Sequence, residues 1–113
     1  MNAILDKARQ HFASMARQNI EVPEWGGEDG PMRVYFDALS LAARQNIETR
    51  SKGSASARLA LTVILHALDA DGKKLFVDDA VTRRAFDREI DPAVIARLAG
   101  AMLGVSEETD LGE

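Results

Sequence analysis

The stretch from Ser56 to Leu68 restricts the fold of this chain more than any other part of its sequence. Apolar side chains fill most positions there, so a helix over these residues has almost no polar face. The run is too short to cross a bilayer, which takes roughly 20 apolar residues. The sequence therefore predicts a helix buried on most sides, either as the central helix of the core or partly as an interface.

Further helices are predicted on both sides of this apolar run. Apolar residues recur at spacings of three and four over about residues 2–18, which is typical of an amphipathic helix. Ser40 is expected to cap a short helix that ends near Ile47, followed by a mobile polar loop over 48–54. The stripe of the first helix consists of Ile4, Leu5, Ala8, Phe12 and Met15.

The C-terminal third carries two more helix start signals. Asp78 is predicted as the N-cap of a helix that contains Phe86. Asp91 as N-cap and Pro92 at the first helical position predict a final helix, which Gly104 is expected to stop.

A small β-hairpin is predicted near residues 19–37. Its first strand covers 19–25 and its second 32–36, joined by a loop over 26–31 that is rich in glycine. Pro23 has no backbone N–H, so its strand must be an edge strand. The fold class is therefore predicted as mainly α (α+β), with about four to five helices around one core and this hairpin. We expect one domain over 1–105 and an acidic flexible tail over 106–113.

Composition argues against several function classes. The chain has 113 residues, is 46% hydrophobic, contains no cysteine and carries a net charge of −4. A net negative charge works against binding to phosphate backbones. The absence of cysteine fits an intracellular setting, and no signal peptide or membrane span is expected. We expect a soluble cytoplasmic protein that binds neither nucleic acid nor membranes.

No catalytic or metal-binding pattern stands out. Asp69-Ala70-Asp71-Gly72 resembles the start of a calcium loop, but the first, eighth and last loop positions carry the wrong residue types, which favours a plain Asp-Gly turn. We expect His11 to face solvent and His66 to be partly buried, without a partner ligand at helical spacing. The sequence thus predicts a protein with no enzyme activity, no cofactor and no metal.

The segment 98–109 supports an alternative function. It has the pattern of a helix, a turn and the start of a recognition helix, as in a small DNA-binding regulator. The recognition helix would be 106–113, which is short and acidic, and this works against DNA binding. A regulator of this kind should shift duplex DNA at low salt.

Two short motifs, in their order and spacing, carry a family resemblance. Val22-Pro23-Glu24-Trp25-Gly26 precedes the long apolar helix, and Asp71-Gly72-Lys73-Lys74-Leu75-Phe76 follows it. In this arrangement, over about residues 12–109, the chain resembles the phage tail assembly chaperones. It departs from many relatives at Ala42-Ala43-Arg44-Gln45 and at Glu28-Asp29-Gly30-Pro31, which is expected to widen the hairpin loop.

The resemblance implies a role in assembling long phage tails. Proteins of this family bind the tape measure protein, keep it soluble and help recruit tail tube protein, without remaining in the mature virion. It also implies a client-binding surface, and Val22, Trp25, Leu75 and Phe76 are predicted to contribute to it, although the same residues could equally form core. Self-association as a homo-oligomer is a further hypothesis, motivated by the apolar helix over 56–68.

Overall fold

A computed structural model describes residues 2–104 and contains five helices and one two-stranded antiparallel sheet. This confirms the predicted fold class. The elements in chain order are α1 (Ala3–Ala13), β1 (Gln18–Gly27), β2 (Gly30–Phe36), α2 (Leu41–Ser51), α3 (Ala55–His66), α4 (Ala80–Arg88) and α5 (Pro92–Leu103).

The apolar helix α3 lies at the centre of the core. It packs against α2, α4 and α5, and Leu61, Val63 and Ile64 are almost completely buried. Thr62 is buried as well, and its hydroxyl donates to the Arg58 carbonyl at 2.7 Å. Every side chain from Ala57 to the end of the helix is at least partly covered by the chain itself. Of the two alternatives for this helix, the central core position is therefore confirmed.

The hairpin is longer and its turn is tighter than predicted. β1 and β2 pair from Gln18↔Phe36 to Val22↔Met32 and again at Gly27↔Gly30, with a register irregularity between these two regions. The predicted loop over 26–31 is thus mostly strand, and the turn consists of Glu28 and Asp29 alone. The expected widening of the loop is wrong, because Gly30 with its φ of 116° supports a close turn. Pro23 lies within the irregular region, where a missing N–H costs least.

The hairpin is joined to the helices through β2 and through β1. Tyr35 and Leu68 exchange backbone hydrogen bonds of 2.9 and 2.7 Å, so the segment after α3 extends the sheet edge. Val34 is completely buried against the helical layer. The Glu24 carboxylate accepts a 2.6 Å hydrogen bond from Arg97 of α5. These contacts fix the hairpin over one end of the helical core.

Helix α2 continues four residues beyond its predicted end at Ile47, to Ser51. The predicted mobile loop over 48–54 is therefore wrong for its first half. Ser51 is buried, its hydroxyl donates to the Glu48 carbonyl, and Lys52 ends the helix in the left-handed conformation. Tertiary packing thus overrides the polar composition of this stretch.

Helix α4 begins one residue later than predicted. The Asp79 carboxylate accepts from the backbone N–H of Thr82 at 2.8 Å, so Asp79 is the N-cap and the prediction of Asp78 is wrong. The boundaries of α5 are confirmed, with Asp91 as N-cap, Pro92 in the first turn and Gly104 as a left-handed C-cap. The predicted acidic tail and the recognition-helix part of the DNA-binding alternative lie outside the described residues.

Candidate protein-binding surface

The four residues predicted to bind a client lie together in one cluster. Trp25 meets the edge of Phe76 with ring centroids 6.1 Å apart, and Phe76 in turn meets Phe86 of α4 at 5.0 Å. Val22 is completely buried, whereas Trp25, Leu75 and Phe76 are partly exposed where they pack against the core. Val22 is therefore a core residue, and contact of the other three with a client stays a prediction.

The two sequence motifs meet in this aromatic cluster. The first motif forms the end of β1, and the second follows the turn after α3. In that turn the Asp69 carboxylate accepts from the backbone N–H groups of Asp71 and Lys73, both at 2.9 Å. This confirms the predicted Asp-Gly turn. The turn returns the chain so that Leu75 N–H donates to the Ala67 carbonyl at 3.0 Å, which sets Phe76 against Trp25.

Helix α1 presents the largest set of exposed apolar side chains in the described part of the chain. Ile4 is 72% exposed, Leu5 46%, Phe12 44% and Met15 38%, and none of the residues of α1 is buried. At about 100° per residue, Ile4, Leu5, Ala8 and Phe12 fall on one side of the helix. We call this set the α1 stripe. Met15 lies in the turn that follows, because α1 ends at Ala13 and not near residue 18 as predicted. A helix of this pattern normally packs its apolar side onto the core, and α1 does not.

The segment that follows α1 is hydrogen-bonded to the end of the hairpin. Arg17 has a left-handed φ of 53°, its backbone N–H donates to the Asp37 carboxylate at 2.7 Å, and its guanidinium donates to the same oxygen at 3.3 Å. The N-terminal end is capped by Asn2, which accepts from the Leu5 N–H. Helix α1 is thus capped at its start, and the chain after its end is held to the rest of the protein at Asp37.

A groove lies next to the α1 stripe, between Phe12 and the residues that follow β2 and α3. It has a volume of about 340 Å³, and Phe12 forms one of its walls. The groove also contains the partly buried His66, as predicted, with Nε2 unpaired. Burial lowers the pKa of His66, and the nearby Lys74 ammonium lowers that pKa further. The main apolar residues of the groove wall are Leu39, Ala43, Leu65 and Leu68.

The edges of the α1 stripe are basic. On the same 100° projection, Lys7 and His11 lie along one edge and Arg9 lies along the other. Asp6, the acidic residue of α1, projects from the opposite side, 3.6 Å from the Arg9 guanidinium. The stripe therefore combines apolar surface with positive charge on a chain whose net charge is −4.

A second groove of about 320 Å³ lies between α3, α4 and the start of α5. Its rim carries Arg50 and Arg83, and both donate to Asp78 at distances of 2.7 to 3.0 Å. These hydrogen bonds, first that of Arg83, lower the pKa of the Asp78 carboxyl. Asp78 thus links α2 to α4 rather than capping a helix, and the guanidinium groups at this rim are already paired.

Among residues 2–104, no three His, Cys, Asp or Glu side chains lie close enough together to hold a metal ion. The described helices include none that is long and apolar enough to cross a membrane. Comparisons with protein-family models, curated proteins and solved structures found no match.

The sequence predicted the α1 stripe but not its exposure. An apolar period of three to four residues is the same for a helix that covers a core and for one that awaits a partner. Only the placement of α1 away from the core distinguishes the two. The core forms from the hairpin and the other four helices, and no local residue pattern encodes that outcome.

Proposed function

We propose that this chain is a non-catalytic chaperone of phage tail assembly. It binds the tape measure protein in the host cytoplasm, keeps it soluble and helps to recruit tail tube protein. It then leaves before the virion is mature. The proposal starts from the resemblance carried by the Val-Pro-Glu-Trp-Gly and Asp-Gly-Lys-x-Leu-Phe motifs.

The observation that carries the proposal is the uncovered α1 stripe. A tape measure protein is long and helical, and amphipathic helices of that kind aggregate unless their apolar sides are covered. A partner helix with its own exposed apolar stripe can cover such a segment by side-to-side helix packing. The rest of the protein supports this role, because the hydrogen bonds between Arg17 and Asp37 hold the C-terminal end of α1 next to the hairpin.

Packing between the two motifs adds support. Motifs that lie about 50 residues apart in the sequence come within aromatic contact through Trp25 and Phe76. Their joint occurrence is then explained by one structural unit, the closure of the hairpin over the turn after α3. This accounts physically for the order and spacing on which the resemblance depends.

Self-association has less support than the sequence suggested. The apolar helix that motivated it is α3, whose apolar side chains are covered by α2, α4 and α5 of the same chain. A homo-oligomer stays a prediction, which size-exclusion chromatography with light scattering would test.

Co-expression with the tape measure protein from the same genome tests the proposed function. We expect the fraction of soluble tape measure protein to rise and the two proteins to co-purify. No gain in solubility and no complex would overturn the proposal for that client. In that case a duplex-DNA shift at low salt would test the regulator alternative.

A further inference from the structure

We infer that the α1 stripe binds a helical segment of its client whose own apolar stripe is bordered by glutamate or aspartate. The inference rests on the proposed function and adds the chemistry of the segment that is recognised. It is argued from the pattern of charge around the stripe and from the other exposed apolar residues of the chain.

A partner helix would add to the stability of α1. It has 11 residues and no buried side chain. An isolated helix of fewer than about 12 to 15 residues is marginal in water, because nucleation costs more than so few hydrogen bonds return. The exposed side chains Ile4, Leu5, Phe12 and Met15 are therefore the surface through which a second helix would stabilise α1. The length of α1 corresponds to about three turns, so the matching client segment is of similar length.

Charge decides which kind of helix fits. Lys7 and His11 border the stripe on one edge, and Arg9 borders it on the other. A helix that packs along the stripe places the residues beside its own apolar side next to these groups, as the flanking positions of a coiled coil do. Carboxylates at those positions attract the Lys7 ammonium and the Arg9 guanidinium, whereas lysines or arginines there repel them.

A second copy of this chain is a poor match for the stripe. If two α1 helices pair antiparallel about Ala8, each edge of the stripe faces the same edge of the other copy, so Lys7 approaches Lys7 and Arg9 approaches Arg9. The other large exposed apolar residues of the described chain are Leu41, Val77 and Val81. Arginines follow two of them at helical spacing, Arg44 three residues after Leu41, and Arg84 and Arg88 three and seven after Val81. The carboxylates of Asp78 and Asp79, between Val77 and Val81, already accept hydrogen bonds from Arg50, Arg83 and the Thr82 N–H. Like charges thus oppose the pairing of two stripes, and the occupant that the basic edges favour is an acidic helix of another protein.

Two designed peptides test this directly. Both are amphipathic helices of about three heptads with the same leucine stripe, and the flanking positions carry glutamate in one and lysine in the other. We expect wild-type protein to bind the glutamate peptide at least about tenfold more tightly than the lysine peptide in low salt. Added salt should narrow the difference, because exposed charges are screened.

Charge reversal at the stripe gives the matched comparison. The double variant Lys7→Glu, Arg9→Glu should lose or invert the preference, while Arg84→Glu, Arg88→Glu, with the same change in charge away from α1, should keep it. Equal binding of both peptides, or of neither, would overturn the inference. Binding of wild-type protein to phosphatidylglycerol vesicles without binding of either peptide would also overturn it, in favour of an anionic membrane.

The same variants separate this inference from the proposed function. If Lys7→Glu, Arg9→Glu keeps the tape measure protein as soluble as wild type does, the acidic-segment inference fails and the chaperone proposal stands. If wild type itself gives no solubility, the chaperone proposal fails whatever the peptides do.

Discussion

At the scale of single residues, Gly26 is the position where the hairpin has no room for a side chain. A Cβ built there would overlap the carbonyl oxygen of Gly30 and lie 2.8 Å from the Cα of Pro31. These are backbone atoms, which cannot turn aside as a side chain can. We expect Gly26→Ala to lower the free energy of unfolding by about 1–3 kcal/mol, measured by urea denaturation. Gly27→Ala is the control, because a Cβ there meets nothing within 4 Å. An equal loss for both variants would contradict this view of the turn.

His66 makes the free energy of unfolding depend on pH, and the direction of that dependence follows from its lowered pKa. Burial and Lys74 lower its pKa in the folded state from an ordinary value of 6.5. The unfolded chain then binds a proton at a higher pH than the folded one does. The stabilisation is complete above the unfolded value and is lost as the pH falls through the lowered folded value.

We therefore expect the free energy of unfolding to fall between about pH 7.5 and pH 5, with a part of the fall due to His66. Urea denaturation across this range should show a smaller fall in His66→Gln than in wild type. His11→Gln serves as the control, since His11 is exposed. The assignment would be wrong if His66→Gln kept the full wild-type slope.

At the scale of the elements, α1 and the remaining helices should differ sharply in their contribution to stability. Phe12 of α1 is 44% exposed, whereas Phe86 of α4 is 4% exposed and touches Phe76. The same substitution at each position should therefore have different costs. We expect Phe86→Ala to lower the free energy of unfolding by about 3–5 kcal/mol and Phe12→Ala by less than about 0.5 kcal/mol.

Thermal and urea denaturation of the two variants measure this difference. A large loss of stability in Phe12→Ala would mean that α1 is packed onto the body in solution, and the stripe would then not be available to a client.

The elements show which parts of the fold local signals can predict. The start and end of α5 follow from Asp91, Pro92 and Gly104, because caps act within a few residues of their helix. The start of α4 does not, since Asp78 and Asp79 are chemically equal as caps. The choice depends on Arg50, which lies 28 positions away and takes Asp78 as its partner.

The same limit applies to the site. Residue periodicity predicted the apolar side of α1, and the family resemblance predicted one surface that includes Val22, Trp25, Leu75 and Phe76. Whether Trp25 and Phe76 lie in the core or on a surface depends on which elements cover them, and that is a property of the whole fold.

At the scale of the whole molecule, the described chain consists of a packed part, formed by the hairpin and α2 to α5, and one exposed helix, α1. The packed part buries α3 between three helices and closes one end with the hairpin. Helix α1 adds little to that core and carries an apolar stripe with basic borders. This division allows the helix to bind a partner without disturbing the packing that holds the packed part together.

The most direct test of the account is co-purification of tape measure protein with two double variants. Ile4→Gln, Phe12→Gln makes the α1 stripe polar, and Val77→Gln, Val81→Gln makes the same kind of change at exposed residues elsewhere. Both should fold with wild-type stability. The account predicts that the first variant recovers at most about a tenth of the tape measure protein that wild type recovers, because interface anchors dominate binding, while the second recovers as much as wild type. Equal recovery by all three proteins would contradict it.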